Sequence, residues 1–220
     1  MVAFTKFFDL SQPVYEKCPG WPTYEKTSFR YEASYTKDGY TAEQITMNSH
    51  TGTHVDAPFH FDPLGVTVDE LPVEAFCGET VILDLRKRIQ AKEGISPVHL
   101  EPFAEKIKAG RIVILNTGWG PKRGFSEEYF HDWPYLSREG AEWLLKRKVK
   151  GVGIDGISMG GWYEGTGRPC HEVLLPAKIW LLEELIIPDA LMEYESCWLF
   201  AFPIKLKGFS GAPVRAVAAV

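Results

Sequence analysis

Apolar residues fall in short uninterrupted runs along this chain. Residues 80–85 (TVILDL), 111–116 (RIVILN) and 151–155 (GVGID) are rich in β-branched side chains and bounded by glycine or charge. That is the pattern of strands buried on both faces. Two further strand-like runs lie near the end, residues 198–204 (WLFAFPI) and 214–220 (VRAVAAV). Helical spacing shows in two places. Ser96 and Pro97 offer a cap and a first-turn proline for a helix running to Lys108, with Gly110 as its stop. Ser137 opens another, in which Ala141, Leu144 and Leu145 recur at helical intervals as far as Lys148. Strands and helices do not alternate strictly, and no repeat or low-complexity linker divides the chain. The expectation is one α/β (α+β) domain over residues 1–220, a mixed sheet with flanking helices.

Composition narrows the function classes. At 220 residues the chain is long enough to bury a core without disulfides or a structural metal. A net charge of −5 with no dense basic stripe argues against nucleic acid and anionic membrane surfaces as partners. Cys18, Cys77, Cys170 and Cys197 are scattered, with no CxxC pair, which suits a reducing compartment better than a disulfide framework or zinc ribbon. The first residues carry Lys6 and Asp9 and no long apolar run. A cytoplasmic location is therefore expected, with no membrane span.

The chemistry is concentrated in residues 49–60, SHTGTHVDAPFH, which hold three of the six histidines. Imidazole and carboxylate are common ligands of zinc and similar divalent ions, and His50, His54 and Asp56 could supply such a set. Gly52, the two threonines and Pro58 oppose a helix. An extended strand would send residues 50, 54, 56, 58 and 60 to one side. Burying that many polar groups together without a cation would leave several to satisfy.

The run His50-Thr51-Gly52-Thr53-His54-Val55-Asp56-Ala57-Pro58-Phe59-His60 resembles the HxGTHxDxPxH signature of the metal-dependent cyclase family. That family includes bacterial kynurenine formamidases and isatin hydrolases. Residues 9–13 (DLSQP), 20–22 (GWP), 151–158 (GVGIDGIS) and 211–216 (GAPVRA) resemble further segments of it in order. The resemblance implies a swivelling β/β/α fold and one or two divalent ions, zinc first, with manganese or magnesium as alternatives. His50, His54 and Asp56 would bind one ion, while Asp56, His171 and Glu183 would bind a second. His60 would be the proton donor and acceptor, and Trp21 would line the substrate pocket. For His60 an imidazole pKa near 7 would suit the task. Whether Glu183 or its neighbour Glu184 points inward depends on strand alternation.

The implied activity is hydrolysis of a carbonyl C–N bond in a small aromatic amide, by a homodimer or tetramer. Formylkynurenine is the first substrate, and an isatin-type cyclic amide is the alternative. A non-catalytic metal or ligand binder is the third reading. Glu172 stands where formamidases often carry a second histidine. Residues 159–163 (MGGWY) and 208–210 (GFS) lack acidic residues that could receive an ammonium group. Those departures point to a less charged or larger substrate. Trp119, in a TGWG loop after a strand, is either a stacking residue or part of a plain turn.

Overall fold

A computed structural model describes residues 3–220. Its strands in chain order are β1 (Phe7–Asp9), β2 (Ser28–Ala33), β3 (Ala42–Thr46), β4 (His54–Asp56), β5 (Cys77–Asp84), β6 (Gly94–Ile95) and β7 (Ile112–Asn116). They continue with β8 (Tyr135–Leu136), β9 (Gly151–Ile154), β10 (Trp180–Glu183), β11 (Cys197–Phe200), β12 (Gly211–Pro213) and β13 (Val217–Ala219). Nine of them form one mixed sheet in the order β1-β13-β11-β5-β7-β9-β10-β4-β12. The centre, β5-β7-β9-β10, is parallel, and every outer pairing is antiparallel.

The parallel strands are the three apolar runs foreseen from sequence, joined by β10. Their alternation feeds two cores. Val81, Leu83, Val113, Leu115, Val152, Ile154 and Leu181 pack on one face beneath Leu100, Ala141, Leu144 and Leu174 from the helical side. Ile112, Ile114, Trp180 and Leu182 face the other way, against Val55, Leu199, Ala212 and Ala218. Each such aliphatic side chain contributes roughly 1.5–3 kcal/mol on full burial.

The sheet has to curl. β12 and β13 lie seven positions apart in strand order, which would be about 34 Å in a flat sheet. Only residues 214–216 separate them in the chain, and four extended steps span at most about 14 Å. A β-bridge from Ser11 to Leu185 and another from Pro203 to Val214 also join strands of opposite halves.

The sequence-based boundaries change in physically readable ways. The helix at Ser137 forms as Arg138–Lys146, capped by the Ser137 hydroxyl accepting from the Gly140 amide. The helix begun by Pro97 is α-helical only to Leu100 and continues as a 3-10 turn over Glu101–Lys106. Pro102 has no amide hydrogen, and its ring conflicts with the carbonyl four residues back, so the α-helix cannot continue. The run 198–204 ends as a strand at Phe200, before Pro203. The run 214–220 is in strand only at β13, because residues 214–216 make the crossing between the two ends of the sheet. No helix among the described residues is long and apolar enough to cross a membrane.

Candidate metal centre

β4 is three residues long, and its alternation sends Val55 into one core and His54 and Asp56 to the opposite face. The antiparallel register with β10 sets Glu183 across from His54 and Leu181 across from Asp56. Cross-strand partners share a face, so Glu183 joins the two motif residues. His171 reaches the same place from the helix Pro169–Leu174, whose Cys170 and Leu174 pack in the core on that face. Glu184 lies one residue past the strand, with φ of 53°, and its side chain turns instead to Arg123. The alternation between the two glutamates is thus decided by register, with Glu183 inward.

His50 and His60 do not arrive on a strand, contrary to the extended reading of residues 50–60. Gly52, at φ of 65°, turns the chain at 50–53, where a side chain would be strained and its Cβ would sit 2.9 Å from Val14 Cγ2. Pro58 opens a 3-10 turn that ends on His60. The two rings nevertheless meet from opposite flanks of β4, stacked with centroids 4.1 Å apart.

The ligand-type atoms converge. His50 Nδ1 is 2.7 Å from Asp56 Oδ1, and His54 Nε2 is 3.3 Å from the same oxygen and 3.5 Å from Glu183 Oε2. His171 Nε2 lies 3.3 Å from Glu183 Oε1 and 3.8 Å from Asp56 Oδ2. His54 and His171 each place Nδ1 2.8 Å from a backbone carbonyl, of Gly52 and Gly167 respectively, which turns both Nε2 atoms toward the carboxylates. Glu183 is oriented by the Ser158 hydroxyl and the Met159 amide, both donating to Oε1 at 3.1 and 2.6 Å. His50 is held from behind by Ser210, whose Oγ is 2.8 Å from Nε2. Gly211 makes room for that ring, since a Cβ there would press on the Val55 carbonyl and approach His50 Cε1 to 2.7 Å.

These residues fit a divalent cation. His54 Nε2 and Asp56 Oδ2 are buried and have no hydrogen-bond partner among the described residues. Such orphans cost about 1–3 kcal/mol each, more for a charge. Two sets of ligand atoms, His54–Asp56–Glu183 and His50–Asp56–His60, each lie within 4.8 Å and share Asp56. Imidazole nitrogen with carboxylate oxygen suits zinc, and does not by itself exclude other divalent ions. In the metal-free protein a proton takes part of this role. Burial alone would depress His54, but the adjacent carboxylates of Asp56 and Glu183 outweigh that and raise it to about 9. His171 moves upward too, burial being outweighed by Cys170 and Glu183 beside it. For Asp56, burial is overcome by the surrounding histidines, His60 and His50 foremost, and its carboxyl is held well below the usual range. Burial drives His60 the other way, down to about 4, with His50 and His171 adding to it against the pull of Asp56 and Glu183. It is therefore a neutral imidazole at physiological pH.

The cluster forms the floor of a cavity walled by Trp21, Tyr24, Phe61 and Ile157, with Arg168 also in its lining. Trp21 packs edge-on to Trp133 at 5.9 Å and tilted on Trp162 at 5.4 Å. Trp119 is not in the lining; it is buried among these aromatics and donates its indole N–H to the Tyr129 carbonyl. Asp155 is also structural here, accepting from the Thr117, Trp119 and Gly120 amides and the Thr117 hydroxyl.

Fold and site together define a metal-dependent hydrolase. Residues 8–160 match the Cyclase family ("Putative cyclase"), and the chain belongs to that family. It is 31% identical over 217 residues to kynurenine formamidase of Bacillus cereus, covering 97% of each chain. Among solved structures, isatin hydrolase A from Labrenzia aggregata bound to benzyl benzoate superposes with a TM-score of 0.88 at 25% identity, over 98% of this chain and 93% of that one. A potential metal-dependent hydrolase with cyclase activity superposes with a TM-score of 0.80 at 26% identity, over 97% of both chains.

Proposed function

We propose that this chain hydrolyses the carbonyl C–N bond of a small aromatic amide, with an N-formyl arylamine of the formylkynurenine type as first substrate. The observation that carries the reading is the pair of buried, unpartnered atoms, His54 Nε2, in the floor of an aromatic-walled cavity, and Asp56 Oδ2 beneath it. His50, His54, Asp56, His171 and Glu183 are the residues that would hold one or two divalent ions, zinc first. When bound, such an ion polarises a carbonyl and lowers the pKa of water.

The remaining work falls to the chain's own groups. His60 is neutral and carries no side-chain hydrogen bond to the described residues, so a ring nitrogen is free to take a proton from the attacking water. The same nitrogen then returns the proton to the departing arylamine. Trp21, Tyr24 and Phe61 enclose the aryl ring and exclude water around the carbonyl. Ser158 and the Met159 amide keep Glu183 fixed, so the floor is organised before substrate arrives.

An isatin-type cyclic amide is the second reading, favoured by a cavity whose only carboxylate, among the described residues, is the occupied Glu183. A homo-oligomer, dimer or tetramer, accords with the exposed aromatics Phe7 on β1 and Trp198 on β11, which flank Ala219 of β13. The four unpaired cysteines accord with the cytoplasm.

The test is metal content per chain on protein purified without chelator, with formylkynurenine and isatin turnover read on the same sample. One or two ions with formylkynurenine cleaved supports the first reading, and isatin opened instead selects the second. Protein without bound metal, and inactive when zinc or manganese is added, overturns both.

A further inference from the structure

The metal cluster and the aromatic walls leave one lining residue without a task. Arg168 lies immediately before the helix that carries His171, and its side chain is 73% exposed at the cavity rim. Its guanidinium carbon sits 5.4 Å from the Phe61 ring centre, and Phe61 in turn stacks on His171 at 4.4 Å. The cation and the metal-facing imidazole are thus separated by a single aromatic layer, within the length of one small substrate.

Arg168 uses only Nε, donating to Glu172 Oε1 at 2.9 Å, and both Nη atoms donate to nothing among the described residues. Of the carboxylates near the site, Asp56 and Glu183 are the ones that would hold the cation, and Glu172 is paired with arginines. Glu183 accepts from Ser158 and Met159, and Glu172 meets Arg168 on one oxygen and Arg138 on the other. At the rim, away from the cavity floor, an ammonium group would meet only the Arg168 cation, whereas a carboxylate would find two free N–H donors in the planar fork that suits it.

We propose that Arg168 is a specificity-determining residue and that the substrate is an aryl amide carrying a carboxylate on or near its ring, which the guanidinium receives. This rests on the amide hydrolase reading above. Phe61 holds the guanidinium over the rim by a cation–π contact, and Glu172 tethers Nε while leaving the Nη edge toward the cavity mouth open. The aryl ring lies between the Trp21 and Phe61 walls, with its amide carbonyl down toward His60 and its carboxylate up at Arg168.

The experiment compares metal-loaded wild type with Arg168→Gln and Arg168→Lys on three formanilides: unsubstituted, ring-carboxylated and ring-aminomethylated. Wild type should favour the carboxylated over the aminomethylated compound. Arg168→Gln should lower that kcat/KM ratio about five- to tenfold, mainly through KM, and Arg168→Lys should restore part of it. In parallel, calorimetry on the same proteins reads binding of an aminobenzoate, which should weaken to a similar extent in Arg168→Gln. A ratio and an aminobenzoate affinity both unchanged by Arg168→Gln would overturn the inference while leaving the hydrolase reading intact. If no formanilide is cleaved, the amide substrate reading fails, and the calorimetry alone still decides whether Arg168 receives an aryl carboxylate.

Discussion

The most exacting test of this architecture lies behind the metal floor, in the buried pair Arg123–Glu184. Arg123 Nε is 2.9 Å from Glu184 Oε2, and the two side chains are 5% and 1% exposed. Arg123 Nη1 and Nη2 also donate to the Pro13 and Pro19 carbonyls at 2.9 and 2.8 Å, which ties down the segment leading to Trp21. Glu184 in turn accepts through its backbone carbonyl from the Thr53 hydroxyl, inside the turn between His50 and His54. Removing one member leaves a buried charge unpaired, a loss of about 3–5 kcal/mol. At about 2–4 °C per kcal/mol for a chain of this size, Glu184→Gln should lower Tm by roughly 6–12 °C, with its retained amide keeping it at the mild end. Arg123→Met should cost more, because the buried Pro19 carbonyl loses its donor as well. The double variant Arg123→Met/Glu184→Met is the decisive one. Two apolar side chains of similar volume leave no unpaired charge, so its loss should be at least about 2 kcal/mol smaller than the summed losses of Arg123→Met and Glu184→Met measured singly beside wild type. Denaturant unfolding of the four proteins measures this directly. Additivity within about 0.5 kcal/mol would show that the pair is not coupled and that the clasp on the Trp21 segment is misread.

The other expectations can be checked on the same preparations. His60→Ala should keep its metal and lose about 10²–10⁴-fold in kcat, whereas His54→Ala should lose metal as well. Metal lost from His60→Ala would make His60 a ligand, as its closeness to His50 and Asp56 allows. Gly211→Ala drives a methyl group against His50 and the Val55 carbonyl; overpacking of about 1–3 kcal/mol should lower Tm and weaken metal binding together, and a silent substitution would refute the cradle. In the metal-free protein the His54 proton is held to about 9 against an ordinary 6.5, so its stabilising contribution is full below about 6.5 and lost as pH rises through 9. Metal must displace that proton, so apparent metal affinity should rise about tenfold per pH unit between 6.5 and 8.5, seen as proton release in calorimetry; a flat profile would refute the linkage.

What could be read from the sequence follows from which forces are local. β5, β7 and β9 are buried on both faces, so each needs an unbroken apolar run, and the runs are visible. β12 is Gly-Ala-Pro, with no strand propensity; it is a strand because β4 offers it an edge. β2 and β3 form a largely exposed hairpin, Ser28–Ala33 with Ala42–Thr46; Phe29, Tyr31 and Ala33 alternate with Arg30 and Glu32, but the run is short and β3 (AEQIT) does not continue the pattern. Pro102 was a legible stop within the helix that begins at Pro97, and the capping pattern outweighed it in the expectation.

The site shows the same division more sharply. A motif compressed into eleven residues suggests a ligand set because four polar side chains that close must be satisfied together, whatever the backbone does. The backbone did differ: only His54–Asp56 is extended, and two turns return His50 and His60 to the same point, so the same side chains converge by another route. The resemblance names Glu183, but residue type alone does not separate it from Glu184; the β4–β10 register sets Glu183 across from His54, and a one-residue shift would exchange the two. Arg123 and Glu184 stand 61 residues apart, and no local pattern joins them. The parts visible beforehand are those a cation would bind, whose chemistry is fixed by residue type. The parts that were hidden, Ser158 on Glu183, Gly211 behind His50 and Arg123 on the Trp21 segment, act through distance and shape. They hold the reactive groups still, and that role exists only after the sheet has curled and brought its two ends together.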